Sequence, residues 1–276
     1  MTRFSGLKAQ YKFVEAVLDV KNPVPAGEVV RVPLRLNWLP KAVASIESEF
    51  GLFGFVNSDG RQDDPDYASI SLTYNPQSPG NPHTATLGCP HVSQEQHFYG
   101  EGVNQHVVLR DSYYDTYGFS MPTPAAQKHL APLFNQMKRS PVRARLSVIR
   151  TGRTGPEGFF WGWHKDEPVF ENLRVNIHVQ DSDAHRIQIM RANRMPVGPA
   201  DSAMVTHRFS AGYGYSWDTN MPHRACTIGP ATSDRAAIVL GFSPWFDYDA
   251  ATDEWAPNEF FGKKHPLQML LDGDVL

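Results

Sequence analysis

From residue 142 onward the chain is written in short stretches, apolar or alternating apolar and polar, each ended by turn residues. Val142–Arg150, Leu173–Val179, Arg186–Arg191, Ala203–Arg208, Tyr213–Asp218, Cys226–Ile228 and Ala236–Phe242 each have the length and residue types of a strand. A run of short strands separated by turn signals predicts a mainly β sandwich or barrel. Ahead of them Thr123 is an N-cap candidate with Pro124 at the first helical position. The predicted helix continues through Leu130, Leu133, Phe134 and Met137, with Pro132 as a point of kinking or breakage. Tyr67–Tyr74 alternates as a strand, and 75–120 reads as loops. Further upstream, Glu28–Leu36 suits an edge strand because of Pro33, Lys41–Phe50 suits a helix, and Ser58–Asp66 is turn chemistry. The expected organisation is an N-terminal extension of uncertain structure over 1–66, a β core over 67–245 and a C-terminal appendage over 246–276.

Composition narrows the class. The 276 residues are 41% hydrophobic and 20% charged, enough to bury a full core. A net charge of −3 gives no general attraction to nucleic acid or to an anionic membrane. Cys89 and Cys226 make neither a disulfide framework nor a zinc motif. No run approaches the ~18 apolar residues of a membrane span, and the first residues lack a signal-like apolar segment. A cytoplasmic location is expected by default.

The chemistry concentrates around Phe160-Trp161-Gly162-Trp163-His164-Lys165-Asp166. His164 and Asp166, two residues apart on an extended strand, project to one side and can grip one metal ion. His223, in Met221-Pro222-His223, is the candidate third ligand. Two imidazoles and a carboxylate make the facial triad of non-haem Fe(II) oxygenases, which leaves positions open for a co-substrate and O2. Arg235 lies twelve residues beyond His223, and Arg174, Asn176 and His178 alternate along one strand so that they can face the same side. Trp161, Trp163 and Trp217 read as barrel packing rather than a substrate cage. A metal-binding protein of the same fold without oxygenase activity is the competing class, and Arg235 is the feature it would not need.

His164-Lys165-Asp166, Arg174–Val179, Trp217–Ala225 and Arg235 together resemble the aspartyl/asparaginyl β-hydroxylase family, most nearly its cis-proline hydroxylase type. The resemblance covers about residues 67–245. It implies a double-stranded β-helix, or cupin-type jelly roll, with flanking helices, binding Fe(II) and 2-oxoglutarate. It also implies hydroxylation of a C–H bond in an amino acid, a small peptide or an amino-acid-derived metabolite, or in a residue of a partner protein. Arg235 then anchors the far carboxylate of 2-oxoglutarate, a role the guanidinium fork suits better than an ammonium. The family carries Arg-x-His on the strand of Arg174, and two registers remain open. Arg174-x-Asn176 keeps the arginine, and Asn176-x-His178 keeps the histidine.

Overall fold

The computed structural model describes residues 7–20, 23–34, 36–56, 62–74, 76, 81–83, 120–151, 162–164, 173–219, 221–242, 246–249, 251–252 and 254–257. Its central element is an eight-stranded sheet. In spatial order it contains β1 (Val24–Ala26), β2 (Val29–Pro33), β11 (Tyr213–Ser216), β8 (Leu173–His178), β13 (Arg235–Phe242), β7 (Val142–Ile149), β4 (Gln62–Ser71) and β3 (Phe53–Val56). A smaller sheet runs β10 (Met204–Arg208), β9 (His185–Met190), β12 (His223–Thr227), and His164 forms a bridge to His223 on the free side of β12. Followed along the chain from β7, consecutive strands go to the large sheet, the small sheet at His164, large, small, small, large, small and large. All the pairings are antiparallel. That alternation is the winding of a double-stranded β-helix, so the jelly roll expected from the sequence is the fold observed.

The large sheet is buried on both faces, and period two decides which residue goes where. Val142, Ala144, Leu146, Val175, Ile177 and Ile238 face one way, onto α1 (Leu7–Val17), α2 (Leu39–Phe50), α3 (Pro124–His129) and α4 (Ala131–Phe134). The opposite face meets the small sheet through Ile187, Ile189, Phe209, Tyr215 and Trp217. This second layer is where the polar candidates stand.

Several sequence expectations change. Val29–Pro33 is not an edge strand, because β1 covers one side and β11 the other; Pro33 is tolerated as the closing residue. Gln62–Asp66, read as turn, is the first half of β4, where pairing with β3 outweighs local polarity. The helix capped by Thr123 breaks at Leu130 (φ −120°), and Pro132 starts a second short helix instead of kinking the first. β12 begins at His223, three residues earlier than its apolar stretch suggests, because β9 recruits His223 and Arg224 into the ladder. The chain before residue 67 supplies two helices and four strands to this structure, β1, β2, β3 and the start of β4. Downstream, β14 (Phe246–Asp249) and β15 (Glu254–Pro257) form a hairpin, and β5 (Thr73–Tyr74) pairs with β6 (Met121–Pro122).

Candidate metal centre and anion anchor

His164 and His223 are direct cross-strand neighbours. Each donates its backbone N–H to the other's carbonyl, at 3.1 and 2.9 Å, and residues paired in this way point their side chains to the same face. The ring centres are 4.5 Å apart at an interplanar angle of 55°. Nδ1 of His164 lies 2.8 Å from the carbonyl oxygen of Gly162, and Nδ1 of His223 lies 2.9 Å from that of Met221. A carbonyl only accepts, so each Nδ1 carries a proton, the tautomer that in the neutral ring leaves the lone pair on Nε2. The arrangement repeats at both histidines, each anchored to the residue two positions before it, and it is the tautomer and orientation that metal-ligating imidazoles need.

The spacing fits one ion. A metal–nitrogen bond of about 2.1 Å, continued to the ring centre, puts two imidazole centres at right angles about a shared ion roughly 4.5 Å apart. Among the described residues no third His, Cys, Asp or Glu joins the pair. Asp166, the expected carboxylate, lies outside the described residues.

Arg235 opens β13, opposite Ile149, and is 7% exposed. Its side chain approaches His178 of β8, with a terminal guanidinium nitrogen donating across 3.4 Å to Nε2. Among the described residues its Nε has no partner. Burial lowers the Arg235 pKa to about 10, and burial followed by the charge of Arg235 holds His178 well below the usual histidine range. His178 is therefore neutral and can accept from the arginine. Arg174 and Asn176 share its face and are also buried, but it is His178 that meets Arg235.

An aromatic wall links the two groups. His178 packs edge-on against Phe209 (4.9 Å between centres), Phe209 stacks on Tyr215 (4.0 Å) and lies 5.7 Å from Trp217, and Trp217 lies 5.7 Å from His223. Trp217 is thus barrel packing that also contacts the candidate site, whereas Trp163 lies under the guanidinium of Arg224 at 4.9 Å. His185 is engaged with the Ser233 carbonyl and His207 with Glu28, away from the imidazole pair. Sequence reasoning missed Phe209, which follows β10 and has no periodic signal. It also missed Arg31, Arg143 and Arg145. The available clue was charge at alternate positions of otherwise apolar strands, as in Val142-Arg143-Ala144-Arg145-Leu146.

No protein-family model and no curated protein matches the chain in sequence. Solved structures similar to it include oxygenases described as 2-oxoglutarate- and Fe(II)-dependent. One is an oxidoreductase of the 2OG-Fe(II) oxygenase family from Burkholderia pseudomallei, 11% identical over 86% of this chain and 90% of that one, TM-score 0.37. A second is a Pseudomonas putida prolyl-4-hydroxylase, 10% identical over 86% and 98%, TM-score 0.37. A third is the non-haem α-ketoglutarate-dependent epimerase SnoN of nogalamycin biosynthesis, 12% identical over 86% and 80%, TM-score 0.40. Likeness of this degree says nothing by itself about activity, and the reading below is drawn from this chain's own side chains. No helix among the described residues is long and apolar enough to cross a membrane.

Proposed function

We propose that the chain is an Fe(II)- and 2-oxoglutarate-dependent dioxygenase that hydroxylates a C–H bond of an amino acid, a small peptide or an amino-acid-derived metabolite. The observation that carries this is the His164–His223 pair, two imidazoles on adjacent strands with both Nδ1 atoms tied to carbonyls and ring centres 4.5 Å apart. His164, His223 and Asp166 would hold Fe(II), and two neutral ligands with one carboxylate leave the site a net positive charge. Fe(II) held there together with 2-oxoglutarate would supply O2 activation. The overall balance is substrate C–H plus 2-oxoglutarate plus O2 giving substrate C–OH, succinate and CO2.

The chain's own residues do the rest. Arg235 presents a desolvated guanidinium to the far carboxylate of 2-oxoglutarate, where low dielectric strengthens the pair. Neutral His178 orients it by accepting one of its N–H groups. Of the two sequence registers, this favours Asn176-x-His178. Phe209, Tyr215 and Trp217 line the path between anchor and imidazoles with apolar surface that excludes water. A metal-binding protein without oxygenase activity would have no evident use for the buried cation of Arg235.

An anaerobic absorbance titration tests the proposal. Fe(II) is added to the metal-free protein with and without 2-oxoglutarate, beside His164→Ala and Arg235→Ala. The expected result is a weak visible charge-transfer band that needs both ligands, vanishes without His164 and requires more 2-oxoglutarate without Arg235. Tight metal binding with no such band would sink the dioxygenase reading.

A further inference from the structure

One arginine of the barrel interior serves the mechanism above, and others share its face. Alternation turns Arg31 of β2, Arg143 and Arg145 of β7 and Arg174 of β8 toward the small sheet, because their neighbours Val30, Val32, Val142, Ala144 and Val175 fill the helix-covered side. No Asp or Glu occurs anywhere in β2, β7, β8, β11 or β13. Arg31, Tyr215, Asn176, Val239 and Arg145 stand in one row across five paired strands. Among the described residues, the Nε atoms of Arg31 and Arg145 are buried without a hydrogen-bond partner; the guanidinium of Arg31 lies 4.5 Å from the Tyr213 ring.

The position of the row matters. Asn176 is one pleat from His178, in the direction of Arg174, and Arg174 accepts from Ser216 next to Trp217, the residue that touches His223. The row therefore lies between the anchor at Arg235 and the imidazole pair. Cationic side chains on an inward face are costly for the fold unless a negative charge is brought to them, and among the described residues neither Arg31 nor Arg145 has an ion-pair partner. On the reading above, one carboxylate of 2-oxoglutarate would go to Arg235 and the other to the metal ligands, so neither would be assigned to Arg145.

We propose that the molecule hydroxylated carries its own anionic group, a carboxylate or a phosphate, and that Arg145 holds that group. This rests on the dioxygenase reading for the step that follows binding, but the anion site itself does not. Arg145 is a specificity residue here, distinct from the co-substrate anchor.

The test uses the full chain loaded with Mn(II), a redox-inert stand-in, and saturated with 2-oxoglutarate, so that Arg235 is occupied. Adipate is titrated by calorimetry, with adipamide as the neutral control. Adipate should bind saturably and at least about tenfold more tightly than adipamide. Arg145→Gln should weaken adipate by at least about tenfold while 2-oxoglutarate affinity stays within about twofold, and Arg145→Lys should recover most of the loss. Arg235→Gln should show the reverse pattern. Circular dichroism and thermal melting keep the comparison to folded protein, and the lysine variant retains the charge if glutamine perturbs packing. Equal binding of adipate and adipamide, or adipate binding indifferent to both Arg145 variants, overturns the proposal. Wild-type protein that binds adipate through Arg145 but does not bind 2-oxoglutarate overturns the dioxygenase reading instead, and with it the claim that the held molecule is hydroxylated.

Discussion

Arg235→Met separates a functional arginine from a structural one, because the two roles predict opposite signs. Arg235 is 7% exposed, and burial lowers its pKa from the ordinary 12.5 to about 10. The folded state thus holds this proton less tightly than the unfolded chain does. At neutral pH both states are protonated, so the full difference opposes folding, and about 2.5 pKa is worth about 3 kcal/mol. Methionine keeps much of the aliphatic volume and removes the charge. The ligand-free variant should gain stability, by at most about 3 kcal/mol less any packing defect, and at about 2–4 °C per kcal/mol its Tm should rise by several degrees. Its affinity for 2-oxoglutarate should fall, since a charge-assisted hydrogen bond contributes about 1.5–3 kcal/mol, or roughly 10- to 150-fold in Kd. Thermal melting of the metal-free protein and calorimetry of 2-oxoglutarate against the Mn(II)-loaded protein measure the two effects. A lower Tm with unchanged 2-oxoglutarate affinity would refute the reasoning and make Arg235 a packing residue.

Acid should destabilise the fold through its inward histidines. His185 is held at about 4 by burial and then by the charge of Arg235, and His178 is also held low. The unfolded histidines bind protons below about 6.5, so stability is complete above that pH and is lost as pH falls toward 4. His185 should account for about 2 kcal/mol of loss by about pH 5 in urea denaturation, and His185→Gln should flatten that slope. Gly214→Ala should cost about 1–3 kcal/mol by thermal melting, because the added Cβ would sit 3.0 Å from Val175 Cγ1 and 3.2 Å from Leu34 Cδ1. An unchanged Tm would mean that this contact has slack. Thr123→Ala should cost about 1–2 kcal/mol, since its buried hydroxyl accepts from the Ala126 N–H and donates to the Ser71 carbonyl. Recovery of stability in Thr123→Ser would assign the loss to the hydroxyl.

Much of the β core was legible because strands buried on both faces write themselves as apolar runs. Arg235–Phe242 is such a run, whereas Val142–Ile149 and Leu173–His178 alternate apolar with polar residues and were legible through their period of two. His164 and Arg235 were legible for a different reason. A histidine two residues before an aspartate, and an arginine opening an apolar strand, are conspicuous against what surrounds them. The strands β1 and β2 and the first half of β4 were not placed correctly, because Pro33 and Asp63-Asp64-Pro65 argue locally for an edge or a turn. Their partners, β11 and β3, are distant in sequence or bulged in register. Local polarity carries no information about a ladder formed 180 residues away.

By itself the sequence determined the fold class, the strand alternation that turns Arg174, Asn176 and His178 to one side, and the candidates His164, Asp166, His223 and Arg235. Period two is a property of the strand, and it needs no partner to operate. Tertiary structure decided which candidates meet. It set His164 beside His223 by pairing a single residue with β12, fixed both imidazole tautomers through carbonyls of the entering chain, and brought His178 rather than Arg174 to Arg235. It also gathered Arg31 and Arg145 into one row from strands more than a hundred residues apart. Register across a sheet depends on every strand between, and no local pattern encodes it.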